Sequence, residues 1–94
     1  MKKIESLQDL KGYTGLVVFS APWCGPCKGY KPRLEQYAHE HDLHLAEIDA
    51  SVNKDLAGTY GVRAVPATFY FVNGSPSVRM TGALTALEIA SLVP

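Results

Sequence analysis

Whatever thiol chemistry this 94-residue chain performs rests on two cysteines, and both lie in one segment, FSAPWCGPCKGYKP, from Phe19 to Pro32. Cys24 and Cys27 are separated only by Gly25 and Pro26. A pair spaced this way has three uses: half of a metal site, a fixed structural disulfide, or a dithiol that is oxidised and reduced in turn.

Position decides among them. The run GLVVFSA before the pair is continuous, apolar and β-branched, as a central strand buried on both faces requires. From about Cys24 to His41 the apolar spacing turns helical, with Cys27, Tyr30, Leu34, Tyr37, Ala38 and His41 on one stripe and Lys28, Lys31 and Glu35 largely off it. Pro32 falls inside and is expected to kink the helix. A strand thus delivers Cys24 to a helix N-terminus, where unpaired N–H groups and the macrodipole favour an anion and lower the thiol pKa toward neutrality. Each unit of such a shift is worth about 1.4 kcal/mol. Residues at i and i+3 share a helix face, so the two sulfurs can come close enough to bond. Cys27, one turn deeper on the core-facing stripe, is the shielded and less acidic thiol. Pro26 restrains the loop and brings no N–H that would need a partner at the helix start.

The other two uses fit less well. A structural disulfide across so short a loop gains little chain entropy. Cys24, Cys27, His39 and His44 do form C-x2-C-x11-H-x4-H, close to a zinc-finger spacing. A small finger has little else to fold on, however, whereas this chain carries a full α/β pattern, and His44 falls in a strand pointing away from helical His39. No metal is expected. The histidines read as surface or boundary residues.

The elements that must position the pair run the length of the chain. KKIES is an extended start, and Ser6 caps a brief helix ending by Gly12 to Gly15. LHLAEIDA reads as a second central strand, followed by a helix over roughly 53–60. PATFYFV, the turn NG and SVRMTG form an antiparallel hairpin, and Thr85 with Glu88 makes a capping box that opens a last helix to Val93. The order β-α-β-α-β-α-β-β-α predicts an α/β fold, one mixed central sheet with helices on both faces.

Ninety-four residues make one domain, 47% apolar and 19% charged, with zero formal net charge. Neutrality disfavours a nucleic-acid partner, which calls for a basic face. No window reaches the roughly 18 apolar residues of a membrane span. The start MKKIESLQDLKGY has no apolar stretch after its lysines, so a cytoplasmic protein is expected, where a CxxC is more often catalytic or metal-binding than structural.

WCGPCK after a strand, the following Lys31-Pro32, YGVRAVPATFYFVNG and TGAL stand in order along nearly the whole chain, and together they resemble the thioredoxin family. The resemblance implies a single thioredoxin domain over 1–94 and reversible dithiol–disulfide exchange through a redox-active Cys24–Cys27 pair. It implies Cys24 as the attacking thiol, Cys27 as the resolving thiol and Trp23 as the indole beside them. Pro66 matches a cis-proline facing the dithiol, exposing the Val65 backbone to an extended substrate strand. Gly82 matches a glycine that lets substrate backbone approach. Trp23, Gly25, Pro26, Ala64, Val65 and Ala83 would then floor a shallow apolar groove, with Arg63 on its rim. Disulfide-bearing protein substrates and a separate thioredoxin reductase are the implied partners, with the protein a monomer. No cofactor beyond the cysteines is expected, since no G-x-G-x-x-G is present. Gly-Pro between the cysteines leans, by family analogy, toward a reductant. The alternatives are a disulfide oxidase or isomerase, and a thioredoxin-fold binding subunit or clamp of a larger enzyme.

Two departures stand out. The family usually carries a buried aspartate six residues before the attacking cysteine; here that position is Val18. The lysine that often pairs with it aligns with Leu45, so both charges are expected to be missing together, and Cys27 has no internal base. Glu47 and Asp49 flank the strand on the face opposite Ile48, and neither is expected to substitute. Ala67, where threonine is common, is a smaller departure.

Overall fold

The computed structural model describes all 94 residues. Its elements are β1 (Lys2–Lys3), a 3-10 turn (Leu7–Leu10), β2 (Gly15–Ser20), α1 (Gly25–Glu40), β3 (Leu45–Asp49), α2 (Lys54–Thr59), β4 (Ala67–Val72), β5 (Ser75–Thr81) and α3 (Ala86–Leu92). The five strands form one sheet in the order β1-β3-β2-β4-β5. β1, β3 and β2 run parallel, while β4 is antiparallel to β2 and β5 to β4.

β2 lies in the middle, and all six of its residues are buried, which is why its sequence is an unbroken apolar run rather than an alternation. Its pleat still separates two cores. Val17 and Phe19 join Ile48, Phe69 and Phe71 under the 3-10 turn and α2, with Phe19 and Phe69 ring centres 5.5 Å apart. Leu16 and Val18 join Tyr30 and Leu34 of α1 and Ile89 and Leu92 of α3 on the other face. Helices therefore cover both faces, as the element order predicts, and the fold is α/β.

Several boundaries differ from expectation. The first helix is a single four-residue 3-10 turn, stopping ahead of Gly12, whose φ of +74° takes the chain out of helical space. β5 starts two residues earlier than SVRMTG and includes Pro76; an edge strand tolerates proline, and the β4–β5 register shifts there at Tyr70/Phe71. Asn73 and Gly74 both take positive φ, as a two-residue hairpin turn demands. α1 runs as one 16-residue element straight through Pro32. His41, expected on the buried stripe, is its exposed C-cap, stacked on the Tyr37 ring at 3.9 Å. No helix is long and apolar enough to cross a membrane.

Candidate active site

Cys24 is the N-cap of α1, with extended backbone angles, and Pro26 stands in the first turn. The Cys24 sulfur accepts the Cys27 N–H at 3.2 Å, so one of the helix's free donors already points at it. The cysteines are joined in a disulfide, with Cα atoms 5.3 Å apart. Both are buried, Cys24 at 4% exposure and Cys27 at 1%, in a small cluster with Ala21 that Val65 covers. Once reduced, this arrangement stabilises a thiolate at Cys24 through the helix dipole and the Cys27 N–H. Around it Trp23 is 74% exposed, and Gly25 and Pro26 are exposed too, which leaves an open apolar lip.

The opposite wall comes from the segments around β4 and β5. The Val65–Pro66 peptide bond is cis, and the Val65 carbonyl oxygen lies 3.7 Å from the Cys24 sulfur. The Gly82 N–H donates to the Pro66 carbonyl at 2.8 Å, tying the two segments together. Gly82 has a φ of +103°, a conformation that side chains disfavour, and a Cβ there would meet nothing within 4 Å. Backbone is thus left bare on that side. Arg63, Ala64 and Ala83 are exposed beside these walls.

The zinc-finger spacing does not converge. His39 lies twelve residues along α1 from Cys27, about 18 Å at helical rise, and nowhere do three His, Cys, Asp or Glu side chains gather as a metal cage.

The expectation about Leu45 is wrong. In the parallel register Leu45 faces Leu16, and the residue beside Val18 is Glu47. Being opposite Ile48 puts Glu47 on the face that α1 covers, because Ile48 belongs to the other core. The acid at position 18 is absent, but a carboxylate stands beside it at Glu47 and a cation reaches that carboxylate from α1. Lys31 of α1 forms an ion pair with the Glu47 carboxylate, which also accepts the Ser20 hydroxyl at 2.9 Å. Lys31, Glu47 and Ser20 line a polar cleft that reaches Ala21 and Pro22 at the start of the active-site loop. Burial pushes the Glu47 carboxyl up, but the Lys31 and Ser20 hydrogen bonds, with the charges of Lys31 and Lys3, outweigh it and hold the pKa below the ordinary value. A carboxylate so satisfied is a poor proton acceptor. Asp49 is committed elsewhere: hydrogen bonds from the Ser51 hydroxyl and backbone N–H lower its pKa and fix the turn after β3. Sequence reading missed the trio, although one signal was present: a lone glutamate between buried Ala46 and Ile48 must face either solvent or a helix.

Because its folded pKa is depressed, Glu47 adds stability above its unfolded pKa, and that contribution fades as pH falls through the folded value. Glu47→Gln should cost about 1–2 kcal/mol near pH 7, discounted because Lys31 is one-third exposed. Wild-type and variant melting temperatures should differ most above the ordinary glutamate range, about pH 4.3, and converge as pH falls through the lower folded value. A gap that is constant across pH would show that the ion pair is not the cause.

Comparison with known proteins accords with this geometry. The Thioredoxin family model matches residues 5–94. Thioredoxin of Mycobacterium tuberculosis is 41% identical over 85 residues, covering 84% of this chain and 73% of that one. Mouse protein disulfide-isomerase A5 is 46% identical over 65 residues, covering 63% of this chain but only 13% of that longer protein. Among solved structures, an asparagine-to-glutamine variant of thioredoxin from Halobacterium salinarum superposes with a TM-score of 0.85 at 31% identity, covering 98% of this chain and 86% of that one. With its cysteine pair bonded at the start of a helix in this fold, the chain belongs to the thioredoxin family of dithiol–disulfide oxidoreductases.

Proposed function

We propose that Cys24 attacks and Cys27 resolves, in a groove walled by Trp23, Gly25 and Pro26 on one side and Val65, Pro66 and Gly82 on the other, and that the protein works as a reductant. The observation that carries this reading is the seat of Cys24: N-cap of α1, sulfur held by the Cys27 N–H and facing the Val65 carbonyl. The Cys24 thiolate attacks one sulfur of a substrate disulfide; that S–S bond breaks and the second substrate sulfur leaves as thiolate, taking a proton. Cys27, giving up its proton, attacks the Cys24 sulfur. The Cys24–substrate bond breaks, the first substrate sulfur leaves, and two electrons have passed to the substrate. The Cys24–Cys27 disulfide that remains must be reduced by a separate thioredoxin reductase.

One chain supplies both thiols and both walls, which supports action as a monomer and as a single domain over 1–94. A reductant turns over where thiols are kept reduced, which favours the cytoplasm. Disulfide-bearing proteins are the natural substrates for so open a groove. The oxidase or isomerase reading keeps some ground because part of an isomerase also matches. Equilibration with glutathione separates them: a reductant should give a potential near about −270 mV, an isomerase or oxidase one between about −180 and −120 mV.

A further inference from the structure

Tyr30 and Thr68 are both completely buried, and their hydroxyl oxygens lie 2.7 Å apart in a hydrogen bond. Apolar packing alone does not require either hydroxyl, since Phe and Val would fill nearly the same space, and buried hydroxyls are costly unless paired. What marks this pair is where it joins the chain. Tyr30 lies three residues past Cys27 on the buried face of α1, and Thr68 two residues past Pro66 on β4, beside Val18. The bond therefore ties the helix bearing the dithiol to the strand bearing the facing wall.

Two further bonds close a ring that joins α1, β4 and the segment after β5. Arg33 of α1, its guanidinium 5.9 Å from the Tyr30 ring centre, donates to the Leu84 carbonyl at 3.1 Å. Leu84 follows Gly82 by two residues, and the Gly82 N–H holds the Pro66 carbonyl at 2.8 Å. Apolar packing between a helix and a sheet is non-directional and permits small slides. A hydrogen bond fixes distance and angle.

We propose that the Tyr30–Thr68 hydrogen bond is a positioning device for disulfide exchange, setting the separation between the Cys24 sulfur and the Val65 backbone at which a substrate strand is seated. Reacting atoms must come within about 3–3.5 Å in line, and a misplacement of about 1 Å can cost about a hundredfold, so the spacing of the two walls governs how well a docked disulfide meets the thiolate. The inference rests on the groove assignment above, and Trp23→Ala, a change at an exposed lip residue, reports on that assignment separately.

Tyr30→Phe, Thr68→Val and the double variant distinguish positioning from stability. Each single change leaves one buried hydroxyl unpaired and should lower the melting temperature by about 4–8 °C. The double variant removes both hydroxyls and should recover to within about 3 °C of wild type. Its kcat/KM for insulin, with dithiothreitol as the electron donor, should nevertheless stay lowered about 3- to 10-fold, with the loss in kcat, while alkylation of the reduced Cys24 thiol by iodoacetamide keeps its wild-type rate. If kcat/KM returns to wild type together with the melting temperature, the bond is merely structural and the proposal is overturned. An unchanged KM in Trp23→Ala would instead remove the groove assignment, and the positioning role with it.

Discussion

Cys24→Ser should abolish disulfide reduction, by about a thousandfold or more, while Cys27→Ser should complete half a turnover and stop. At Cys24 a serine hydroxyl is a far weaker nucleophile than a helix-capped thiolate, and no neighbouring base is placed to activate it. The fold should tolerate the change, because serine is itself a good N-cap. In Cys27→Ser the attacking thiol survives, so a substrate should be trapped as a mixed disulfide, visible by non-reducing electrophoresis and mass spectrometry. The asymmetry carries the test. A binding clamp would keep its affinity in both variants and show no trapped adduct in either. An adduct on Cys27 in the Cys24→Ser protein with none in Cys27→Ser would reverse the two roles, an outcome that the 1% exposure of Cys27 argues against.

Local rules accounted for much of the fold. The continuous apolar run of β2 announces a strand buried on both faces, and all six of its residues are buried. Thr85 and Glu88 form their reciprocal pair at 3.2 and 3.0 Å, and Asn73-Gly74 turns the hairpin. These signals are contained within a few residues, so a single sequence displays them. The site was legible where it too was local, as in the placing of Cys24 by strand, proline and helix.

Relations between distant segments were harder to read. Setting Leu45 instead of Glu47 against Val18 was an error of two residues in register, and two residues preserve the face while changing the neighbour. Nothing local to β3 reveals which of its residues lies level with a given residue of β2. Lys31 lies largely off the apolar stripe, and that position on the helix says nothing of the carboxylate it reaches. Tyr30 read as core because its place on the stripe is apolar, and its hydroxyl partner Thr68 lies 38 residues away. Long-range polar pairing leaves little periodic trace.

The charges beside Val18 give the second large expectation. Val18 is fully buried, between Glu47 on β3 and Thr68 on β4. Val18→Asp should destabilise the protein by about 3–5 kcal/mol, since the new carboxyl is buried beside the Glu47 carboxylate, whose partner Lys31 is already engaged. Burial and repulsion both raise its pKa. Adding Glu47→Lys puts a cation level with the new acid and should recover about half the loss; Lys31, one-third exposed, can turn to solvent. The kinetic consequence follows from proton affinity. In the wild type Glu47 is held ionised by Lys31 and Ser20, so it is a poor acceptor for the Cys27 proton, and resolution of the mixed disulfide should be slow and steeply pH-dependent. An aspartate whose pKa lies closer to neutrality is a better acceptor. Val18→Asp alone should therefore release substrate from Cys24 about tenfold faster near pH 7, with a new inflection in the rate–pH profile, and adding Glu47→Lys, which pairs the acid as Lys31 pairs Glu47, should take most of that gain away. Stopped-flow release of a fluorescent peptide from a preformed mixed disulfide would measure it. A profile that overlays the wild type would mean that solvent or the leaving thiolate takes the Cys27 proton, so that the acid lost at Val18 was never limiting in this chain.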